Sequence, residues 1–207
     1  MYIDESIQHY LDDLASAQPT PGGGSASALC GAMGAALASM VCRLTMDKAG
    51  YEDVQTEIEH ISRQTEQLRA RFSELLQEDI TAYGRLSAAY KLPRASDEER
   101  VERTAAIQKQ LVGAALPPLE MVECAAKLAQ HCRRVAEIGN VNVLSDIVTA
   151  TTLAHAAAQG GASMTRINLR SLKNMELARE LEARLTGAFR LLEESSREVT
   201  AIVGRRA

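Results

Sequence analysis

Apolar side chains recur every three or four residues along most of the chain, a spacing typical of amphipathic helices. The longest such stripe ends before Pro93 and carries Val54, Ile58, Ile61, Leu68, Phe72, Leu75, Leu76, Tyr83 and Leu86. Further stripes cover residues 3–14, 101–135 and 177–202. No run alternates with a period of two over β-branched residues, as a strand would. The pattern predicts an all-α fold, with residues 1–207 forming a single domain.

Two segments are built from small residues and should be the central helices of a multi-helix bundle. They cover about Ser25–Thr45 and about Asn142–Ala158, which we describe as two central Ala/Gly-rich helices. The first contains both Ala and Gly, and the second is rich in Ala and leads to Gly160-Gly161. Small side chains let helix backbones approach closely, so we expect these helices inside the bundle or between two copies of the chain. We expect Gly160-Gly161 to end the second of them, and Pro117-Pro118 to interrupt or kink its helix.

The charge balance and the cysteines narrow the class of protein. A net charge of −4, a pI near 5.7 and 3% aromatic residues argue against a nucleic-acid-binding protein. The acidic start at Met1 does not resemble a signal peptide. Residues 25–42 are long enough for a membrane span, but their Ala, Gly and Ser content and the Arg43 that follows favour a protein core. The four cysteines lack a Cys-x-x-Cys spacing, which favours reduced thiols in a cytoplasmic protein over zinc ligands.

The segment Pro19-Thr20-Pro21-Gly22-Gly23-Gly24-Ser25 is a candidate ligand-binding loop. The prolines favour an extended approach, and the glycines permit tight turns and close contact with a ligand. Ser25 is a good N-cap, so free N–H groups at the helix start could bind an anion or a carbonyl group. A flexible turn is an equally good explanation of the glycines alone. No Gly-Lys-Ser/Thr or preceding strand supports a nucleotide-binding loop.

Asp79 is the first candidate catalytic residue. Leu75, Leu76 and Tyr83 lie three or four residues away, so its carboxylate belongs to the apolar stripe of the long helix. Burial would raise the pKa of this carboxyl group, as a general acid or base requires. The alternative is a structural aspartate paired with an arginine or a helix end.

A second polar cluster follows Gly139 and consists of Asn140, Asn142, Ser145 and Asp146. Helix capping explains one or two of these residues but does not require all four. Amide side chains both donate and accept hydrogen bonds, which suits the edge of a heterocycle. We expect this cluster and the glycine loop to form two walls of one site, with Asp146 as a second candidate carboxylate.

Metal chemistry has weak support. Glu57-x-x-His60 is half of a di-iron bundle motif, but a second Glu-x-x-His is missing, so surface charges on a helix explain it better. His9, His131 and His155 are isolated from one another. We therefore expect no metal ligands.

Four segments of the sequence form one ordered pattern: the glycine loop, the following Gly-Ala-Met-Gly-Ala-Ala-Leu-Ala-Ser-Met-Val, the Asp79-x-x-Ala-Tyr83 segment, and Gly-Asn-x-Asn-x-x-Ser-Asp. Together they resemble the cyclodeaminase/cyclohydrolase family of folate enzymes. The resemblance implies an all-helical homodimer with a folate cleft lined by these motifs. Its substrate-binding residues would be Pro21, Gly22, Gly23, Gly24, Ser25, Lys48, Tyr83, Asn140, Asn142 and Ser145. Lys48 is the one lysine left in a loop where members of the family often carry Gly-Lys-Lys.

The resemblance is strongest to stand-alone methenyltetrahydrofolate cyclohydrolases, with the tetrahydrofolate derivative as substrate and no cofactor. In that reaction water adds to the cationic carbon between N5 and N10, and the N5 bond then breaks to give 10-formyltetrahydrofolate. A related cyclodeaminase, which closes the ring and expels ammonia, is the alternative within the class. A helical dimer that binds folate without catalysis is the alternative from another class, against which the intact Asp79, Asn140, Asn142 and Asp146 argue.

Overall fold

A computed structural model describes residues 1–206, and its regular structure is entirely helical within that range. The α-helices are α1 (Ile7–Leu14), α2 (Gly23–Arg43), α3 (Gln55–Tyr90), α4 (Asp97–Ile138), α5 (Leu144–Leu169) and α6 (Met175–Arg206). Short 3₁₀ turns at Tyr2–Asp4, Glu52–Val54 and Val141–Val143 precede α1, α3 and α5. The predicted all-α fold is confirmed.

The four helices α2 to α5 form an antiparallel bundle. Ser39 of α2 hydrogen-bonds Thr65 of α3 at 2.8 Å, while Gly24 lies beside Asp79, so these two helices run in opposite directions. Helices α2 and α5 are also antiparallel to each other. Helix α4 is antiparallel to both of its neighbours, α3 and α5. Helix α6 lies along α4 and α5, where Arg184 binds Glu123 and Arg133 binds Glu198.

The small residues of α2 and α5 serve contacts within the chain. A Cβ atom on Gly34 would stand 2.8 Å from the Ala150 carbonyl oxygen, and one on Gly160 would stand 1.9 Å from Ser27 Oγ. The two helices therefore pack as closely as predicted, but this face is not available to a second copy. The homodimer stays a prediction, and these buried faces do not contribute to it.

Helix α4 continues through Pro117 and Pro118, so the predicted interruption is wrong. A proline removes the N–H that would bond the carbonyl four residues earlier, which for Pro118 is the carbonyl of Ala114. The side-chain amide of Asn168 donates to that oxygen at 3.0 Å. A side chain from α5 thus replaces the missing bond.

Two other predicted helix boundaries differ from the structure. Helix α5 runs through Gly160-Gly161 to Leu169, because both glycines lie at close helix contacts rather than at a turn. Residues 3–14 form a 3₁₀ turn and then α1, and only Tyr10 of α1 is buried. The apolar side chains of Ile3 and Ile7 face outward, at 41% and 77% exposure.

The four cysteines are free thiols, of which Cys42, Cys124 and Cys132 are buried and Cys30 is half-buried. Burial raises the pKa of Cys42 and Cys132 to about 12, so these thiols stay protonated.

One helix, α2, is long and apolar enough to cross a membrane by length and composition, although 61% of its apolar window is buried inside the bundle. Burial of this kind is what the core helix of a bundle shows.

Candidate active site

A cleft of about 160 Å³ opens at the N-terminal end of α2. Helices α2, α3, α4 and α5 and the loop before α2 all contribute to its walls. The lining residues are Pro19, Thr20, Gly22, Gly23, Gly24, Asp79, Tyr83, Leu86, Ala114, Met164 and Asn168. The cleft thus brings the predicted glycine loop together with the predicted carboxylate.

The glycine loop enters α2 with Gly22 as the N-cap and Gly23 as the first helical residue. Ser25 is therefore inside the first turn and is not the N-cap we predicted. Its hydroxyl group accepts a hydrogen bond from the Gly22 N–H at 3.2 Å and lies 3.1 Å from the hydroxyl group of Tyr10. These bonds fix the first turn of α2 at the cleft.

The three glycines have different roles, and none of them needs a positive φ. A Cβ atom on Gly24 would stand 2.2 Å from Asp79 Oδ1, so only glycine leaves room for this carboxylate. A Cβ atom on Gly23 would meet nothing closer than Met164 Cε at 3.9 Å. Gly23 is exposed, so its backbone is open to a ligand in the cleft.

Asp79 lies at the base of the cleft, mostly buried, against the first turn of α2. Burial raises the pKa of this carboxyl group to about 6, and a backbone hydrogen bond from Ser25 lowers it in part. Within residues 1–206, no arginine, lysine or histidine forms a salt bridge with it. The structural alternative named an arginine or a helix end as the partner of Asp79. An arginine partner does not fit this environment, whereas the Ser25 N–H at the start of α2 is a helix-end partner, so this half of the alternative stays open. A carboxyl group with a pKa near 6 can both accept and return a proton near neutral pH.

Tyr83 lies one helical turn after Asp79 and is 45% exposed at the mouth of the cleft. Pro21 lies within the loop, directly before its glycines, and is buried. Two residues that sequence reasoning missed are Met164 and Asn168 of α5, which line the opposite wall. Their positions depend on α5 continuing past Gly160-Gly161, and no local signal in the sequence reveals that.

The second polar cluster lies at the other end of α2. Asn140 is buried; its N–H donates to Thr45 Oγ1 and its side-chain amide donates to the Leu44 carbonyl oxygen, both at 3.0 Å. Its Oδ1 also accepts from the Asn142 N–H at 3.1 Å. Asn140 thus ties the C-terminal end of α2 to the turn before α5, and the geometry supports a structural role.

The remaining predicted site residues, Lys48, Asn142, Ser145 and Asp146, also lie at this C-terminal end of α2. A helix of this length spans about 30 Å, so the two clusters are about that far apart in one chain. The expectation that they form two walls of one site within a chain is therefore wrong. Asn142 and Ser145 are exposed and Asp146 is half-buried, so all three side chains face the surface.

Other polar sites have simpler explanations. Glu57 receives two hydrogen bonds from Arg134, at 2.6 and 2.8 Å, on the surface of the bundle, where the sequence analysis expected surface charges on a helix. In the described part of the chain, no three His, Cys, Asp or Glu residues are grouped to bind a metal ion. A larger groove between α5 and α6, about 340 Å³, is lined by His155 and by hydroxyl and apolar groups but by no carboxylate.

These features define a helical-bundle protein in which a mostly buried carboxylate without a cationic partner faces a glycine-rich helix start. Residues 6–187 match the family model described as formiminotransferase-cyclodeaminase. The chain belongs to this family.

Two relatives and one solved structure show the range of the family. The chain is 38% identical to a methenyltetrahydrofolate cyclohydrolase of Methylorubrum extorquens, over 89% of this chain and 88% of that protein. It is 27% identical to the formimidoyltransferase-cyclodeaminase of Rattus norvegicus, over 98% of this chain but 37% of that longer protein. The fold also matches the crystal structure of a formiminotetrahydrofolate cyclodeaminase from Thermotoga maritima. That match has a TM-score of 0.90 and 30% identity, and covers 99% of this chain and 98% of that one.

Proposed function

We propose that this protein is a methenyltetrahydrofolate cyclohydrolase, which hydrolyses 5,10-methenyltetrahydrofolate to 10-formyltetrahydrofolate. The observation that carries the proposal is the Asp79 carboxyl group, which lies mostly buried in the cleft without a cationic partner and has a pKa near 6. The relative from Methylorubrum extorquens, which is 38% identical and matched over 88% of its length, is named for this activity, which supports the same substrate.

The reaction needs one group that takes a proton from water and later returns a proton to nitrogen. A water molecule attacks the methenyl carbon, and the Asp79 carboxylate accepts its proton. The tetrahedral adduct then collapses as the bond from that carbon to N5 breaks, and the protonated Asp79 donates to N5. The hydroxyl group of the adduct releases its proton to solvent as it becomes the formyl carbonyl group, so one proton is released in each turnover. Folding has already desolvated the carboxylate, so it acts in a low-dielectric site.

The first turn of α2 has a second role in this mechanism. Its free N–H groups and the exposed backbone of Gly23 offer donors to the carbonyl and anionic groups of a folate. Gly24 lets α2 approach α3 so closely that Asp79 and these donors share one cleft. The arrangement holds the substrate by backbone groups and leaves the carboxylate free for proton transfer.

The test is an assay of the purified protein with 5,10-methenyltetrahydrofolate, followed by loss of the absorbance of the methenyl group. We expect a protein-dependent loss that is absent from Asp79→Asn. If the methenyl compound binds and its absorbance does not fall, the protein is a folate-binding dimer without catalysis and the proposal is wrong.

Cyclodeaminase activity is the second candidate, and the solved structure from Thermotoga maritima, which carries that name, supports it. The same carboxyl group could move the protons when 5-formiminotetrahydrofolate closes and expels ammonia. Release of ammonia from that substrate, measured beside the hydrolysis assay, separates the two activities. Ammonia release without methenyl hydrolysis would replace our proposal with this one.

We further propose that the enzyme acts in the cytoplasm as a homodimer. The free cysteines of the described chain fit a reducing compartment. Sedimentation at micromolar concentration tests the dimer, and a monomeric active enzyme would contradict it.

A further inference from the structure

The side-chain amide of Asn168 has a fixed orientation in the wall of the Asp79 cleft. Its Nδ2 donates one hydrogen bond to the Ala114 carbonyl oxygen of α4 and another to the Met164 carbonyl oxygen of its own helix, both at 3.0 Å. A carbonyl oxygen only accepts, so the group that faces both of them must be the NH₂ group. The opposite orientation would place the amide oxygen against two other oxygens. The contacts therefore decide which end of the amide is nitrogen and which is oxygen.

The amide oxygen is the polar atom of this side chain that remains for a ligand. Both protons of Nδ2 are used, and Oδ1 of Asn168 accepts no hydrogen bond from any group within residues 1–206. The side chain is half-buried and lines the cleft. A ligand that brings an N–H donor to this oxygen gains a hydrogen bond, whereas a ligand without a donor leaves the oxygen unpaired.

The surroundings of Asn168 in the cleft are mostly apolar. Leu86, Ala114 and Met164 line the cleft with it, and Asn168 is the one polar side chain that α4 and α5 contribute to the described lining. Binding sites for small molecules combine apolar surfaces, which contact ring faces, with a few polar groups that fix the orientation of the ring. A single amide oxygen among apolar side chains has this character.

We propose that Asn168 is a specificity-determining residue, whose Oδ1 accepts a hydrogen bond from an N–H donor on the pyrimidine ring of the pterin. The proposal rests on the proposed function, because it assigns the ring to a folate substrate. That ring carries a 2-amino group and an N3–H side by side, and both lie away from the carbon that reacts. Asn168 would therefore orient the ring, while Asp79 moves the protons.

The same amide also has a structural role, and Pro118 allows the two roles to be separated. The Ala114 carbonyl oxygen depends on Asn168 because Pro118 has no N–H to donate to it. Pro118→Ala restores that N–H within α4. The Met164 carbonyl oxygen keeps its helical partner, since α5 runs to Leu169. In this background, Asn168→Ala removes the amide oxygen from the cleft without leaving a carbonyl group unpaired.

The experiment compares Asn168→Ala, Pro118→Ala and the double variant with the wild type. We would measure the melting temperature, and KM and kcat for 5,10-methenyltetrahydrofolate. We expect Asn168→Ala to melt below the wild type and its KM to rise about tenfold, with kcat within about twofold, because the lost contact is distant from the reacting carbon. The double variant should regain most of the melting temperature and keep the raised KM. Pro118→Ala alone should have the wild-type KM.

Gln108 offers a matched control, because its side chain also joins α4 to the end of α5 but does not line the cleft. Its Nε2 donates to the Ser171 carbonyl oxygen at 3.0 Å, and its Oε1 accepts from the Lys173 N–H at 2.7 Å. Gln108→Ala should melt below the wild type and keep the wild-type KM. A raised KM would then not follow from loosening this end of the bundle alone.

Two results would overturn the proposal. A double variant with a wild-type KM would show that Asn168 serves only the Ala114 carbonyl group. A fall in kcat at an unchanged KM would place the amide oxygen at the reacting atoms and not at the pyrimidine ring. If Asn168→Ala alone does not fold, the double variant carries the test. Failure of the proposed function is distinct, because the wild-type protein itself would then leave the methenyl compound unchanged.

Discussion

Each end of α2 contacts a polar residue from another part of the chain, and the two residues have opposite environments. At the C-terminal end, Asn140 makes three hydrogen bonds to backbone and hydroxyl groups of its own chain. At the N-terminal end, Asp79 is mostly buried and accepts one backbone hydrogen bond, from Ser25, with no cation beside it. Satisfied polar groups stabilise a fold, whereas a desolvated carboxylate costs stability and is kept where chemistry needs it. The comparison separates a structural residue from a candidate catalytic residue, although both looked equally polar in the sequence.

Replacement of Asp79 by asparagine should give the largest effect on activity. Asp79→Asn keeps the shape of the side chain and the acceptor for the Ser25 N–H but removes the proton-transfer group. We expect turnover of 5,10-methenyltetrahydrofolate to fall about a hundredfold or more, with a much smaller change in substrate affinity.

The same variant should be more stable than the wild type at neutral pH. The pKa of Asp79 is about 6 in the folded chain and 3.8 as the reference value, so the folded protein binds this proton more tightly. Ionisation of Asp79 therefore lowers the stability of the wild type as the pH rises from about 4 to above 6. The difference corresponds to roughly 3 kcal/mol at most. A higher melting temperature at pH 7.5, together with lost turnover, is the expected pair of results. Early melting with normal turnover would instead make Asp79 structural.

Gly24→Ala should give the next largest effect. The added Cβ atom occupies the position of the Asp79 carboxylate, so either the carboxylate rotates away or α2 moves from α3. We expect a loss of turnover of about tenfold or more. Gly187→Ala on α6, whose Cβ would meet nothing within 4 Å, is the matched control and should keep its activity. Equal activity of the two variants would show that the close contact at Gly24 is not required.

Asn140→Ala should affect stability at the other end of α2. The substitution leaves the Leu44 carbonyl oxygen and the Asn142 N–H without their side-chain partners. We expect the free energy of unfolding to fall by about 2–3 kcal/mol, measured by urea denaturation. In this variant kcat/KM should fall at the same low pH as in the wild type, because proton transfer depends on Asp79. If the fall moves to another pH in a normally folded variant, Asn140 has a direct role in the chemistry.

The pH dependence should give the smallest effect. The general base must be ionised in the free enzyme, so kcat/KM should fall as the pH drops below about 6, the pKa of Asp79. Measurements of the methenyl absorbance between pH 5 and 8, compared with non-enzymatic hydrolysis, would show this limb. The wild type should show it and Asp79→Asn should not. If kcat/KM of Asp79→Asn still falls below about pH 6, a group other than Asp79 causes this pH dependence.

Much of the fold followed from local patterns. The stripe from Ile58 to Leu86 specified α3, and the Ser96–Glu99 capping box marked the start of α4, where the Glu99 N–H donates to Ser96 Oγ at 3.2 Å. The spacing of Asp79 from the leucines of the same stripe predicted a carboxylate on the apolar face of α3, and the structure places Asp79, mostly buried, in the wall of the cleft. These features depend on residues three or four positions apart, so the sequence alone carries them.

Tertiary contacts decided the rest. Helix α4 passes Pro117 and Pro118 because Asn168, more than fifty residues away, supplies a donor to the Ala114 carbonyl oxygen. The distance between the glycine loop and the Asn140–Asp146 cluster follows from the antiparallel packing of α2 and α5, which no local pattern reports. The sequence by itself determined the helices, the family and the carboxylate on the buried face. Only the packing decided that one polar cluster forms a cleft while the other lies about 30 Å away, because the length of α2 separates them.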